Sequence, residues 1–233
     1  DALIEQKIVT EKDGVYYITD MPKLISYILE GKKWKDIGVD MLYGSINIDS
    51  TDPVTSSPGA TYYGLLLSIM CGGNVTEESV EANLPKLKEF YIKSGYMNNT
   101  PADLFELYLK TGMGGKPMIV DYEKSIIDFA NSNPSGFSQV KDDIVVLYPK
   151  PTIWNSHCLT IFSENGKKLL SAFEDEEISR IAWEKYGFRT GVTGGNYDVS
   201  QVNVKGIPQS IDSTVTSLKM NLYEKLISYL GNN

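Results

Sequence analysis

The chain has 233 residues, 42% hydrophobic and 22% charged, which is enough for one large domain or two small ones and too apolar for disorder. A net charge of -8 leaves no basic stripe to neutralise phosphates and argues against nucleic acid as a partner, although local dipoles can still hold a small anion. The single histidine, His157, excludes a histidine-based metal cluster by counting; no cofactor is expected, and no apolar run reaches the roughly 20 residues that span a bilayer.

Lys12-Asp13-Gly14 reads as a turn, followed by a short strand over 15–18. Asp20 is placed to cap a helix whose first turn holds Pro22 and whose inner face carries Leu24, Ile25, Ile28 and Leu29, with Gly31 as its stop. A short strand at 45–48 then leads through a hydroxyl-rich loop into a helix over 60–70 that is apolar nearly all round and therefore buried. Thr55, Ser56 and Ser57 lie at its start. Two readings stay open there: a serine that caps the helix, or a site where free N–H groups and hydroxyls hold a polar ligand or anion.

Thr76 caps the next helix, with Glu77 and Glu78 in its first turn and Val80, Leu84, Leu87, Phe90 and Tyr91 inside; Pro85 is expected to break or kink it. Thr100-Pro101 opens another, with Leu104, Leu107 and Tyr108 inward and Gly112 as its end. Residues 116–123 read as a buried strand, 125–130 as helix, 131–141 as loop and 143–148 as strand. An extended segment over 154–162 follows, then helices over 167–173 and 176–186, an aperiodic stretch over 191–209 and a last helix over 213–230. Strands alternating with helices imply βαβ units and a largely parallel sheet. Cys71 and Cys158, both beside apolar residues, are most simply buried thiols, and the sequence leaves a disulfide between them open.

The run Gly31-Lys32-Lys33-Trp34-Lys35-Asp36-Ile37-Gly38, then Ile46-Asn47-Ile48 leading into Thr51-Asp52-Pro53 with Ser56 and Gly59, resembles extracellular solute-binding proteins of bacterial ABC-type importers. Gly115 to Glu123, Val145 to Pro149 and Tyr186-Gly187-Phe188 continue the resemblance in order, over about residues 15–190. It implies an α/β fold of the type II periplasmic-binding-protein kind, a mostly parallel sheet flanked by helices. Residues 45–148 would form lobe two, and 1–44 with 149–233 a partial lobe one and C-terminal helices. Relatives carry a preceding half-domain of roughly 100 residues, the size of such a lobe, so the first lobe is expected to be incomplete.

The resemblance also implies an extracytoplasmic location, in the periplasm or as a surface lipoprotein, with a small polar or anionic ligand and a membrane permease as partners and no catalysis. Its ligand-binding residues would be Thr51, Thr55, Ser56, Ser57, Asp121, Tyr122 and Glu123, and Tyr148 with Pro149 would lie near a hinge between lobes. Ligands in open α/β sheets sit beyond the carboxyl ends of strands, which suits both groups. Pro58 departs from relatives, which often carry a small polar residue there, and removes one backbone donor. Tyr122 reads equally as a rim aromatic, and Glu123 as a helix N-terminal acid. A sensor or surface-interaction domain is the alternative. A serine-type hydrolase is less favoured: His157 and Cys158 are strand neighbours that point to opposite faces and make a poor dyad, and His157 could reach Ser56 only through a tertiary contact that the sequence does not give.

Overall fold

Asp13 and Gly14 both take positive φ (55° and 79°), as a two-residue hairpin turn requires. They join β1 (Val9–Lys12) to β2 (Val15–Ile18) as an antiparallel pair that follows a one-turn helix, α1 (Ala2–Glu5). The computed structural model describes residues 1–95, 97–190 and 197–232.

The Asp20 carboxylate accepts the Lys23 N–H at 2.9 Å and starts α2 (Met21–Leu29), whose Leu24, Ile25 and Ile28 are buried. After a 3-10 turn at Trp34–Ile37 come α3 (Ser57–Met70), buried on nearly every side, and α4 (Glu77–Lys93), capped by Thr76. Next is α5 (Pro101–Gly115), capped by Thr100 and interrupted at Gly112, where φ is 57°. The remaining helices are α6 (Glu123–Ser132), α7 (Pro134–Val140), α8 (Glu164–Lys167), α9 (Leu170–Glu174), α10 (Glu176–Tyr186) and α11 (Met220–Gly231). β3 (Leu147–Pro149) lies parallel to β2 and completes a three-stranded sheet; β4 (Thr152–Ile153) and β5 (Thr214–Val215) form a separate parallel pair.

The architecture is therefore mixed α/β, with helices dominant and two small sheets. The larger core is built by α2, α3, α4 and α11 against the hairpin and Trp34, with Tyr63, Leu66, Leu87, Phe90 and Leu226 fully buried. Lys88 of α4 donates to the carbonyls of Leu230 (2.5 Å) and Asn232 (3.0 Å), satisfying groups that the end of α11 would otherwise leave bare. A second cluster joins Ile126, Ile127, Phe137, Tyr148, Trp183, Val202 and Ile207. Residues from both sides of the expected boundaries at 44/45 and 148/149 contribute to these clusters.

Several expectations need correction. The continuous parallel sheet is replaced by short strands and isolated bridges. The segment 116–123 is not a buried strand: it meets the chain near Asp49 through one parallel bridge, Asp49 with Ile119, because Pro117 has no N–H to extend the ladder. The strand expected over 143–148 contracts to Leu147–Pro149, ended by Pro149 and Pro151. Residues 131–141 hold α7, since the Asn133 side chain accepts the Gly136 N–H and Pro134 sits in the first turn. Pro85 does not end α4; it lies on the exposed side, where water can take the carbonyl it leaves without a donor. The helix over 167–173 is divided into α8 and α9. The last helix starts at Met220 because Thr214 and Val215 pair with β4. Past β4, residues 154–162 form no strand among the described residues, and Cys158 is exposed rather than buried, while Cys71 is half-buried; both are free thiols. In the aperiodic stretch, residues 191–196 lie outside the described residues; beyond them Val202 and Ile207 enter the second core.

Candidate functional site

Three chain segments run parallel at the centre of the candidate site. Asp49 bridges to Ile119, with the Asp49 N–H donating to Met118 and the Val120 N–H to Asp49, and Thr51 bridges to Asn98. Each segment passes at its carboxyl end into a helix: Thr51 into α3, Asn98 into α5 and Ile119 into α6. The starts of three helices therefore gather at one edge, where open α/β folds place ligands; at α5 the Thr100 hydroxyl already takes the Asp103 N–H. Lys116 and Asp49 form a largely buried ion pair at 2.6 Å that ties the third segment to the first.

The loop before α3 divides its hydroxyls between packing and surface. Ser56 occupies the cap position without capping; its hydroxyl donates to the Thr51 hydroxyl at 2.9 Å, and both residues are buried. Thr55 and Ser57 are exposed. The close approach depends on Gly59, because a Cβ there would lie 2.3 Å from the Thr51 carbonyl oxygen. Asp52 holds the turn, accepting the Ser56 N–H at its carbonyl (2.8 Å) and the Val54 N–H at its carboxylate (2.9 Å).

Asp121, just before α6, accepts the Tyr122 N–H at 2.7 Å through Oδ1, whereas Oδ2 is buried with no partner among the described residues. Burial pushes its pKa up, against the opposing pull of that N–H, Ser125 and the Lys124 charge. Asn98 Oδ1 is a second buried acceptor without a partner among the described residues. A buried acceptor left unmade costs free energy unless a ligand or water donates to it.

The two expected groups of site residues are linked through side chains that motif reading did not single out. Asn155 donates to the Tyr122 hydroxyl at 2.7 Å and lies 3.4 Å from the Thr61 hydroxyl, one turn along α3 from Ser57. Tyr223 of α11 lies over Gly64 with Thr61 nearby, and burial raises its pKa. Nothing periodic marks Asn155, Thr61 or Asn98. Asn98 runs on into Asn99-Thr100 and Asn155 into Ser156-His157, so neither stands out from its neighbours.

Glu123 has a different environment. Arg189 grips both of its oxygens (Nε to Oε1 2.5 Å, Nη2 to Oε2 3.1 Å), and the Tyr148 hydroxyl donates to Oε2 at 2.6 Å. Arg189 is 4% exposed, also donates to the carbonyls of Pro208 and Gln209, and lies over the rings of Trp183 and Tyr197. Burial, reinforced by the Glu123 charge, holds the Tyr148 phenol well above its ordinary pKa. This is a buried ion pair joining α6, β3 and the segment after α10, with its carboxylate committed inside the protein. His157 is exposed and stacks edge-on against Phe188, 5.5 Å between centroids. Among the described residues no three His, Cys, Asp or Glu side chains converge as a metal site, and no helix is long and apolar enough to cross a membrane. The chain matches no model of a known protein family, no curated protein and no solved structure.

Proposed function

We propose that the protein is an extracytoplasmic solute-binding protein of an ABC-type importer, with a fold of the type II periplasmic-binding-protein kind. It captures a small polar ligand and presents it to a membrane permease. The observation that carries the reading is the edge where three parallel segments end in three helix starts, with the acceptors Asn98 Oδ1 and Asp121 Oδ2 buried and unpartnered among the described residues. Helix starts favour an anionic or carbonyl group on the ligand, whereas the two acceptors favour hydroxyl or ammonium donors. The ligand class that meets both demands is a zwitterion or a hydroxyl-rich molecule carrying an acceptor, ahead of a bare oxyanion.

A thermal-shift screen against amino acids, sugars, polyols and inorganic oxyanions tests this, since a ligand stabilises the folded state by mass action. A saturable rise is expected with a member of the first three groups. Calorimetric titration of that ligand should show weaker binding in the double variant Ser56→Ala, Ser57→Ala and in Asp121→Ala. Unchanged affinity in both variants, or no saturable response to any compound, overturns the site.

A further inference from the structure

Away from the candidate site, the surface formed by residues 159–178 leaves large apolar side chains in water. Phe162 is 93% exposed, Phe173 67% and Leu169 54%, and Leu159, Leu170 and Ile178 are each near 45%. These positions lie on neighbouring elements: Ile161 packs at Gly166 of α8, and α9 packs against α10. With ~200 Å² for a fully exposed side chain of this size, the six present on the order of 700 Å². As a sum over separate side chains that is of the same order as the largest apolar patch of a monomer, roughly 300–600 Å².

Charge along the face indicates what covers it. Lys167 and Lys168 precede the apolar stretch at Leu169–Phe173, and Glu174, Asp175, Glu176 and Glu177 follow it, all exposed; Lys167 pairs with Glu164, Glu177 with Arg180, and Asp175 caps α10, which leaves Lys168 on one side and Glu174 and Glu176 on the other. The order is basic, apolar, acidic. When two such faces meet antiparallel across a two-fold axis, the basic end of one lies over the acidic end of the other, twice. A net charge of -8 otherwise opposes self-association, so the local complementarity selects this face. We propose that the surface of α8, α9 and α10 with the preceding segment is the interface of a two-fold homodimer, the two copies packed antiparallel through Phe162, Leu169 and Phe173.

Light scattering after size exclusion, on the whole chain at about 10 µM, a concentration at which a standard interface associates, should give twice the 25.9 kDa chain mass. The double variant Phe162→Asp, Phe173→Asp should run as a monomer with an unchanged circular dichroism spectrum, since neither ring is buried. Lys168→Glu should weaken association about threefold to tenfold, the range for exposed ion pairs made twice. Adding Glu174→Lys and Glu176→Lys to it should restore the dimer; this charge exchange also serves if the aspartate variant does not fold. A monomeric wild-type chain overturns the proposal and leaves the face to a different partner. So does a polydisperse aggregate, or a dimer indifferent to the aspartates. Failure of the exchanged charges to restore association overturns the antiparallel arrangement.

Discussion

Gly59→Ala tests how closely the start of α3 lies on the loop before it. Gly59 has ordinary helical φ, so alanine fits the backbone there and would by itself favour the helix by about 0.5–1 kcal/mol. The added Cβ, however, lies 2.3 Å from the Thr51 carbonyl oxygen and 2.8 and 2.9 Å from the carbonyl carbon and oxygen of Asp52. All three obstacles are backbone atoms, and none can swing aside. An ordinary carbon–oxygen contact needs about 3.3 Å, so α3 or the loop must retreat by about 1 Å, at an overpacking cost of ~1–3 kcal/mol. Subtracting the helix gain leaves a net loss of about 1–2 kcal/mol, or ~3–6 °C in Tm for a chain of this size. Urea unfolding with an unchanged m-value measures it. Gly64→Ala is the comparison: its Cβ meets the Tyr223 hydroxyl at 2.7 Å, the far end of a side chain that can rotate away, and it should lose less. If Gly59→Ala is as stable as the parent, the described approach of α3 to Thr51 and Asp52 is wrong.

Two more perturbations address the carboxylates near α6. Arg189→Met should cost about 3–5 kcal/mol, because it leaves Glu123 buried without its partner. Adding Glu123→Gln should return a large part of that loss in the denaturant midpoint, and a strictly additive double variant would show the two residues are not coupled. For Asp121, burial raises the folded pKa above the ordinary 3.8. Between the unfolded and folded values the folded state holds more protons, so its contribution to stability falls as pH rises through that window. Asp121→Asn should therefore stabilise the protein by about 1 kcal/mol at pH 7, the scale of an unmade buried hydrogen bond, and give no gain once both carboxyls are protonated below 3.8. An equal change at both pH values contradicts this account.

What the sequence makes legible here are features set by neighbours along the chain. Asp20, Thr76, Thr100 and Asp175 cap the helices they precede, and each accepts an N–H three residues on. Asp13-Gly14 makes its turn for the same local reason. Strands were less legible, because a strand exists only where a distant partner keeps register. Proline at 117, 149 and 151 shortens what apolar runs suggest, while Thr214 and Val215 leave a helical pattern to pair with β4. At the candidate site, the hydroxyl loop and Asp121-Tyr122 could be picked out as motifs. Asn155 and Tyr223 could not, since they reach α3 near Thr61 and Gly64 from distant parts of the chain. The role of Glu123 depends on Arg189, 66 residues away. No spacing rule encodes such a pair.

The Lys88 contact with the end of α11 spans 142 residues of chain, and the leucines of α11 cover the same core that α3 and α4 begin. A ribosome adding roughly 5–20 residues per second needs on the order of 10 s to pass from one to the other. For that interval the nascent chain carries the inner faces of α3 and α4 without α11 to cover them, and Gly64 without Tyr223. Maturation of the first core thus waits on the synthesis of α11, which covers it.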